Sequence, residues 1–238
     1  MKFNIQRAAE RGTADYGWLK PNYYFSFSQY HNPEKIHFGA LRVLNDDFVK
    51  AGAGFPTHPH DNMEIVTIPL KGTIAHKDNS GGQGTIAVGD VQIMSAGTGV
   101  QHSEFNASKT EDLNLFQVWV FPKKRNIKPR YDQKTFLPDG RKNKWQTVVS
   151  PNEATGGLWI NQDAVFALSD LEAGKTIAYQ NRFTGNGVYL VIIEGEIEVA
   201  GQKLFNRDSI AITETESFEI KATENSKLLA IEIPMKLN

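Results

Sequence analysis

His58 and His60, and later His102 and Glu104, form two pairs of metal-capable side chains, each pair separated by a single residue. Successive side chains of a β-strand point to opposite faces, so residues i and i+2 share a face and can aim two donors at one point. Two such pairs on neighbouring strands would surround a cation with three imidazoles and a carboxylate. That donor set suits a divalent first-row transition ion, and an ion taking five or six ligands keeps room for water or substrate. Pro59 separates the first pair and cannot donate to a sheet ladder, so this segment is expected at a strand end or a sheet edge.

The chain that must position these residues reads as all-β. Short apolar or alternating runs recur at Tyr23–Phe27, Phe38–Leu44, Glu64–Leu70, Asp90–Ser95, Leu113–Phe121, Val188–Ile193, Ser209–Ile212 and Leu228–Ile233. Turn-forming clusters separate them, as at Asp78-Asn79-Ser80-Gly81-Gly82 and Gly185-Asn186-Gly187. Sustained helical periodicity is hard to find, so a β-sandwich or barrel is expected. The polar, basic stretch from Phe121 to Arg130, continuing to Lys144, reads as a solvated connection between two lobes.

An internal repeat supports two lobes. Residues 65–76 align with 188–199, and 89–94 align with 207–212. Extending the alignment sets Asn181 and Phe183 opposite His58 and His60, and Ile220 opposite His102. All histidines lie at or before residue 102, so the second lobe can build no imidazole site. The expected division is 1–129, which binds metal, and 130–238, which lacks the ligands and is structural or covers the first lobe.

Bulk composition narrows the classes. In 238 residues, 26 Lys and Arg face 27 Asp and Glu, so charge alone attracts neither nucleic acid nor an anionic membrane. No cysteine is present, which excludes disulfides, thiolate nucleophiles and iron–sulfur ligation, and leaves N and O donors for any metal. No signal-peptide run or membrane-length apolar stretch is found, so a cytoplasmic protein is the simplest expectation.

The segments around the candidate ligands also resemble a known family. Gly52, His58, His60, Glu64 and Gly72 follow the first cupin motif with one residue of difference in spacing, and Gly89, Ser95, Gly97, His102 and Asn106 loosely follow the second. More specifically, residues 14–19 (ADYGWL), 54–64 (GFPTHPHDNME), 70–78 (LKGTIAHKD) and 94–104 (MSAGTGVQHSE) resemble the pirin family over essentially the whole chain. The resemblance implies a fold of two cupin lobes, each a jelly-roll-like β-barrel. It also implies a metal held by His58, His60, His102 and Glu104, usually iron(II), with Mn, Ni, Cu, Co or Zn compatible with the same donors. The stretch Asp61-Asn62-Met63 departs from the more frequent basic-Gly-Phe sequence and bears on pocket shape.

The implied activity is that of a quercetin 2,3-dioxygenase, a cupin dioxygenase cleaving flavonols with O2. In that reading Glu104 is a catalytic base as well as a ligand, swinging off the ion to take the flavonol hydroxyl proton. The alternative is a metal-bearing, redox-sensitive regulator that binds a partner protein, and a third is an isomerase or lyase using only Lewis acidity. Because ligating imidazoles must be neutral, metal affinity is expected to fall below about pH 6.5. The remaining candidates read as structural: Glu64 behind the ligands, His31, His37 and His76 as surface or hydrogen-bonded residues, and glycines 52, 54, 72, 89, 97 and 99 in turns. Phe55, Phe105, Phe116 and Trp119 are core residues by default, although any facing the site would make a flat wall for an aromatic ligand.

Overall fold

Two seven-stranded sheets and two four-stranded sheets account for nearly all regular structure in the computed structural model, which describes residues 1–79 and 81–237. The first large sheet runs Arg130–Thr135, Asp90–Ser95, Glu64–Lys71, Leu113–Val120, Leu41–Val49, Leu19–Tyr23 and Gly12–Thr13. It faces a small sheet ordered Gly54–His60, Val100–Asn106, Thr73–Asp78 and Gln83–Ala87. The second lobe repeats the plan, with Lys2–Gln6, Ser209–Thr213, Asn186–Glu194, Ser226–Pro234, Val165–Leu171, Gln146–Ser150 and Leu158–Trp159 facing Thr176–Gln180, Ser217–Ala222, Ile197–Val199 and Gln202–Leu204. The fold is therefore all-β with two cupin lobes.

The repeat read from sequence falls where it should. Glu64–Lys71 and Asn186–Glu194 are both third in their sheets, and Asp90–Ser95 and Ser209–Thr213 are both second. Strand pairing corrects the residue-level alignment, however. His102 pairs with His58 and Glu104 with His76 in the first lobe, while Phe218 pairs with Tyr179 and Ile220 with Val199 in the second. Phe218 thus occupies the place of His102, Ile220 that of Glu104, and Tyr179 that of His58. The offset is two residues, which keeps each side chain on the barrel-facing side but moves it one place along the strand, from one ligand position to the next.

The lobes exchange strands across the 129/130 division. Arg130–Thr135 pairs with Asp90–Ser95 and completes the first sheet, whereas Lys2–Gln6 pairs with Ser209–Thr213 and completes the second. The basic connector is therefore not solvated loop throughout: its continuation caps a sheet edge. Tyr23–Phe27 and Phe38–Leu44 are displaced too, the strands being Leu19–Tyr23 and Leu41–Val49. Tyr24 and Phe25 are buried in the inter-lobe core, so packing rather than ladder pairing satisfies that aromatic run. At 78–82, Asp78 N donates to Gly82 O and Gly82 N to Asp78 Oδ1, while Ser80 lies outside the described residues.

The outer faces of the large sheets pack together around Val66, Ile68, Phe116 and Val118 on one side and Phe166, Tyr189, Val191 and Ile231 on the other. Each such fully buried side chain contributes about 1.5 to 3 kcal/mol. The opposite face of each large sheet lines its barrel. In the second lobe that interior is an apolar core; in the first, it is where the candidate ligands converge. Among the described residues no helix is long and apolar enough to cross a membrane.

Candidate metal centre

His58 and His60 lie on Gly54–His60, the outermost strand of the small sheet, as Pro59 requires. Gly54 lets this edge strand lie against its neighbour, since a side chain there would collide with Glu104 O and Phe105 Cα. The neighbour, Val100–Asn106, turns His102 and Glu104 inward while Gln101 and Phe105 face solvent. A bulge between His102 and Glu104 shifts the register against the edge strand and re-aims the side chains on it.

These elements bring three imidazoles together. Ring centroids are 4.8 Å apart for His58 and His60, 4.4 Å for His58 and His102, and 4.9 Å for His60 and His102. One nitrogen from each lies within 4.8 Å of the other two. His58 Nδ1 is 2.8 Å from Pro56 O, which can only accept, so Nδ1 carries the proton and Nε2 keeps its lone pair for the centre.

Glu104 joins through His102 and not through the edge pair. It groups with His102 and His76 on the same 4.8 Å criterion. Its carboxylate accepts from Gln117 Nε2 at 3.0 Å and lies 3.4 Å from Thr67 Oγ1. His76 is a hydrogen-bonded core residue, as expected: Nε2 is 3.1 Å from Asp78 Oδ2, Nδ1 is 3.4 Å from Gln92 Nε2, and Tyr131 stacks on its ring.

Electrostatics suit a cation. Burial first, then the neighbouring imidazoles, lowers His102 to about 3, and burial with His58 lowers His60 to about 4. Both rings are therefore neutral donors at pH 7 and stay so at pH 5. Burial raises Glu104 to about 7 despite hydrogen bonds from Thr67 and Gln117. His102 supplies the sharpest test of fit: it is 1% exposed, yet neither ring nitrogen has a hydrogen-bond partner among the described residues. Buried polar atoms are rarely left so, and a ligated metal would satisfy the nitrogen facing His58 and His60.

Aromatic rings frame this centre. Trp119 meets His60 edge-on at 4.9 Å and Phe27 at 5.2 Å, while Phe55 lies 6.3 Å from His58 with Trp18 behind it. Of the aromatics singled out in the sequence, Phe55 and Trp119 line the site, Phe116 is core and Phe105 is 39% exposed. Glu64 is structural: it accepts from Ser95 Oγ at 2.8 Å and from Asn161 N of the second lobe at 3.1 Å. His31 is exposed, and His37 bonds Gly39 O.

The same architecture occurs in known proteins. A family model described as Pirin matches residues 3–120, and one described as Quercetinase C-terminal cupin domain matches 147–233. The Escherichia coli K12 protein named quercetin 2,3-dioxygenase is 40% identical over 97% of this chain and 98% of its own. The chain belongs to the pirin family. Another relative, a pirin-like protein of Caulobacter vibrioides, is 39% identical over 93% of this chain and 95% of its own. Among solved structures, the E. coli bacterial pirin YhhW in complex with nickel(II) superposes with a TM-score of 0.93 at 38% identity, covering 99% of this chain and all of that one. Sequence reasoning did not single out Gln117, Thr67, Asn45 or Gln92. Their signal was a polar residue interrupting an apolar strand, as in Leu115-Phe116-Gln117-Val118-Trp119.

Proposed function

We propose that His58, His60, His102 and Glu104 hold one divalent transition-metal ion, iron(II) in the cell, and that the protein cleaves a flavonol such as quercetin with O2. The observation that carries this reading is the buried, partnerless His102 at the meeting point of three imidazoles, beside an aromatic wall. Full-length relatives named for the same reaction support it.

A bound metal supplies Lewis acidity, lowering the pKa of a ligated flavonol hydroxyl, and access to oxygen chemistry. The chain does the rest. Pro56 O fixes the His58 tautomer, and the bulged strand pair fixes the angle of the three rings. Trp119 and Phe55 offer flat apolar faces to an aromatic ligand. Trp119 Nε1 is buried and has no hydrogen-bond partner among the described residues. Glu104, its pKa raised to about 7 by burial, is in its ionised form poised to accept the hydroxyl proton at Oε1 or Oε2.

Oxygen uptake and quercetin consumption by the metal-loaded protein test this reading. Glu104→Gln is expected to keep folding and to lower turnover by about 100-fold or more, the usual worth of a general base. A full rate with full metal occupancy in that variant would remove the base role, and absence of oxygen uptake with every metal tried would remove the reaction.

A further inference from the structure

Beneath the histidine trio, one cross-strand row of the first large sheet is entirely polar. Asn45 pairs with Gln117, Gln117 with Thr67 and Thr67 with Gln92, and each is at most 9% exposed. The corresponding row of the second lobe is Ala167, Ala230, Leu190 and Ile210, paired in the same order. All four belong to that lobe's apolar core. The fold therefore does not need polar residues there, and burying them costs free energy unless they are hydrogen-bonded. Two of them are bonded to Glu104.

The geometry is directional. Thr67 Oγ1 donates to Gln117 Oε1 at 3.1 Å, which turns the other end of the amide, Nε2, toward Glu104 Oε2 at 3.0 Å. A hydroxyl has one proton, so the 3.4 Å approach of Thr67 to Glu104 Oε1 is the weaker arm. The carboxylate held this way groups with His102 and His76, not with His58 and His60. The second lobe, with Ile220 in place of Glu104, has Ala230 and Leu190 where Gln117 and Thr67 would stand.

We propose that Gln117, oriented by Thr67, is a positioning residue that holds the Glu104 carboxylate back from the histidine trio, which makes Glu104 a releasable ligand. The proposal rests on the metal-centre reading above and deepens it. Without the amide, Glu104 is free to close on the ion and stay there.

The test needs no flavonol. Cobalt(II) is loaded at pH 8 into wild type, Gln117→Leu, Thr67→Val and Thr67→Ser. Affinity is read by chelator competition and ligand number by the visible absorption band, which weakens as cobalt(II) goes from four to five or six ligands. Gln117→Leu is expected to bind about tenfold tighter, the size one hydrogen bond supports, with a weaker band. Thr67→Val shifts both readouts the same way by less, Thr67→Ser restores wild-type behaviour, and a Glu104→Ala background abolishes all differences. Wild-type affinity and spectrum in Gln117→Leu would overturn the proposal, as would a change that survives in the Glu104→Ala background. If Gln117→Leu does not fold, Gln117→Met and Thr67→Val are judged by the same two criteria. Because the readout is the metal, loss of the flavonol reading would leave this result standing, and the reverse also holds.

Discussion

The two lobes place different chemistry on the same frame. Where the first has Trp119 beside His60, its Nε1 without a partner among the described residues, the second has Glu232, paired across the sheet in the equivalent position. Glu232 is fully buried and accepts from Tyr179 Oη, Arg182 N, Phe183 N and Asn186 Nδ2, which ties the 181–186 loop across the barrel. Around it the interior is apolar and Tyr179 stacks on Phe218. One carboxylate closes a barrel because its acceptor capacity is filled; the other, Glu104, sits among side chains with unmet capacity. The second barrel is built around an apolar interior on the same frame, so the polar interior of the first is not a requirement of the fold.

The strongest challenge to that contrast is to move a ligand between lobes. Ile220→Glu would bury a carboxylate without donors and is expected to destabilise the protein by about 3 to 5 kcal/mol, measured by denaturant unfolding, with no gain in metal. A milder loss would mean that the second interior is less closed than described. Glu232→Leu removes the acceptor for four donors and should cost about 3 kcal/mol while leaving metal content of the first lobe unchanged. Coupled loss of metal would show that the second lobe supports the site directly.

A pH experiment sharpens the contrast within the first lobe. Glu104 is raised from 4.5 to about 7, so in the metal-free protein its contribution to stability is present below pH 4.5 and is lost as pH rises through 7. Glu104→Gln removes that loss. Its apo melting temperature should exceed wild type at pH 8, and the gap should shrink toward pH 5.5, with about 2 to 4 °C for each kcal/mol involved. His60 and His102 act oppositely: lowered to about 4 and 3, they stay neutral in the fold while unfolded imidazoles protonate below about 6.5, which destabilises the apo protein in acid. A parallel pH profile for the two proteins would contradict the raised carboxylate.

Sequence carried the frame and the converging imidazoles because both depend on period-two spacing. Asp90–Ser95 was legible to the residue, and the i, i+2 pairs named the trio. It carried less where tertiary packing decides. Tyr24 and Phe25 look like strand residues and are instead packed between lobes, while the basic connector continues into a strand because an edge at Asp90–Ser95 was open to it. Gln117 and Thr67 were harder to read for a different reason: each interrupts an apolar strand, and alternation shows that two faces exist but not which one lines the barrel. The register against Asn45 and Gln92 reveals that the polar face lines the first barrel, while the apolar face packs between the lobes.

Metal-edge anomalous diffraction from metal-loaded crystals, compared between wild type and His102→Ala, tests the central claim most directly. The expected wild-type map has one strong site in the first lobe, within about 2.0 to 2.2 Å of nitrogens of His58, His60 and His102, and that site vanishes in the variant. A site in the second lobe, or one in the first lobe that persists without His102, would contradict the account.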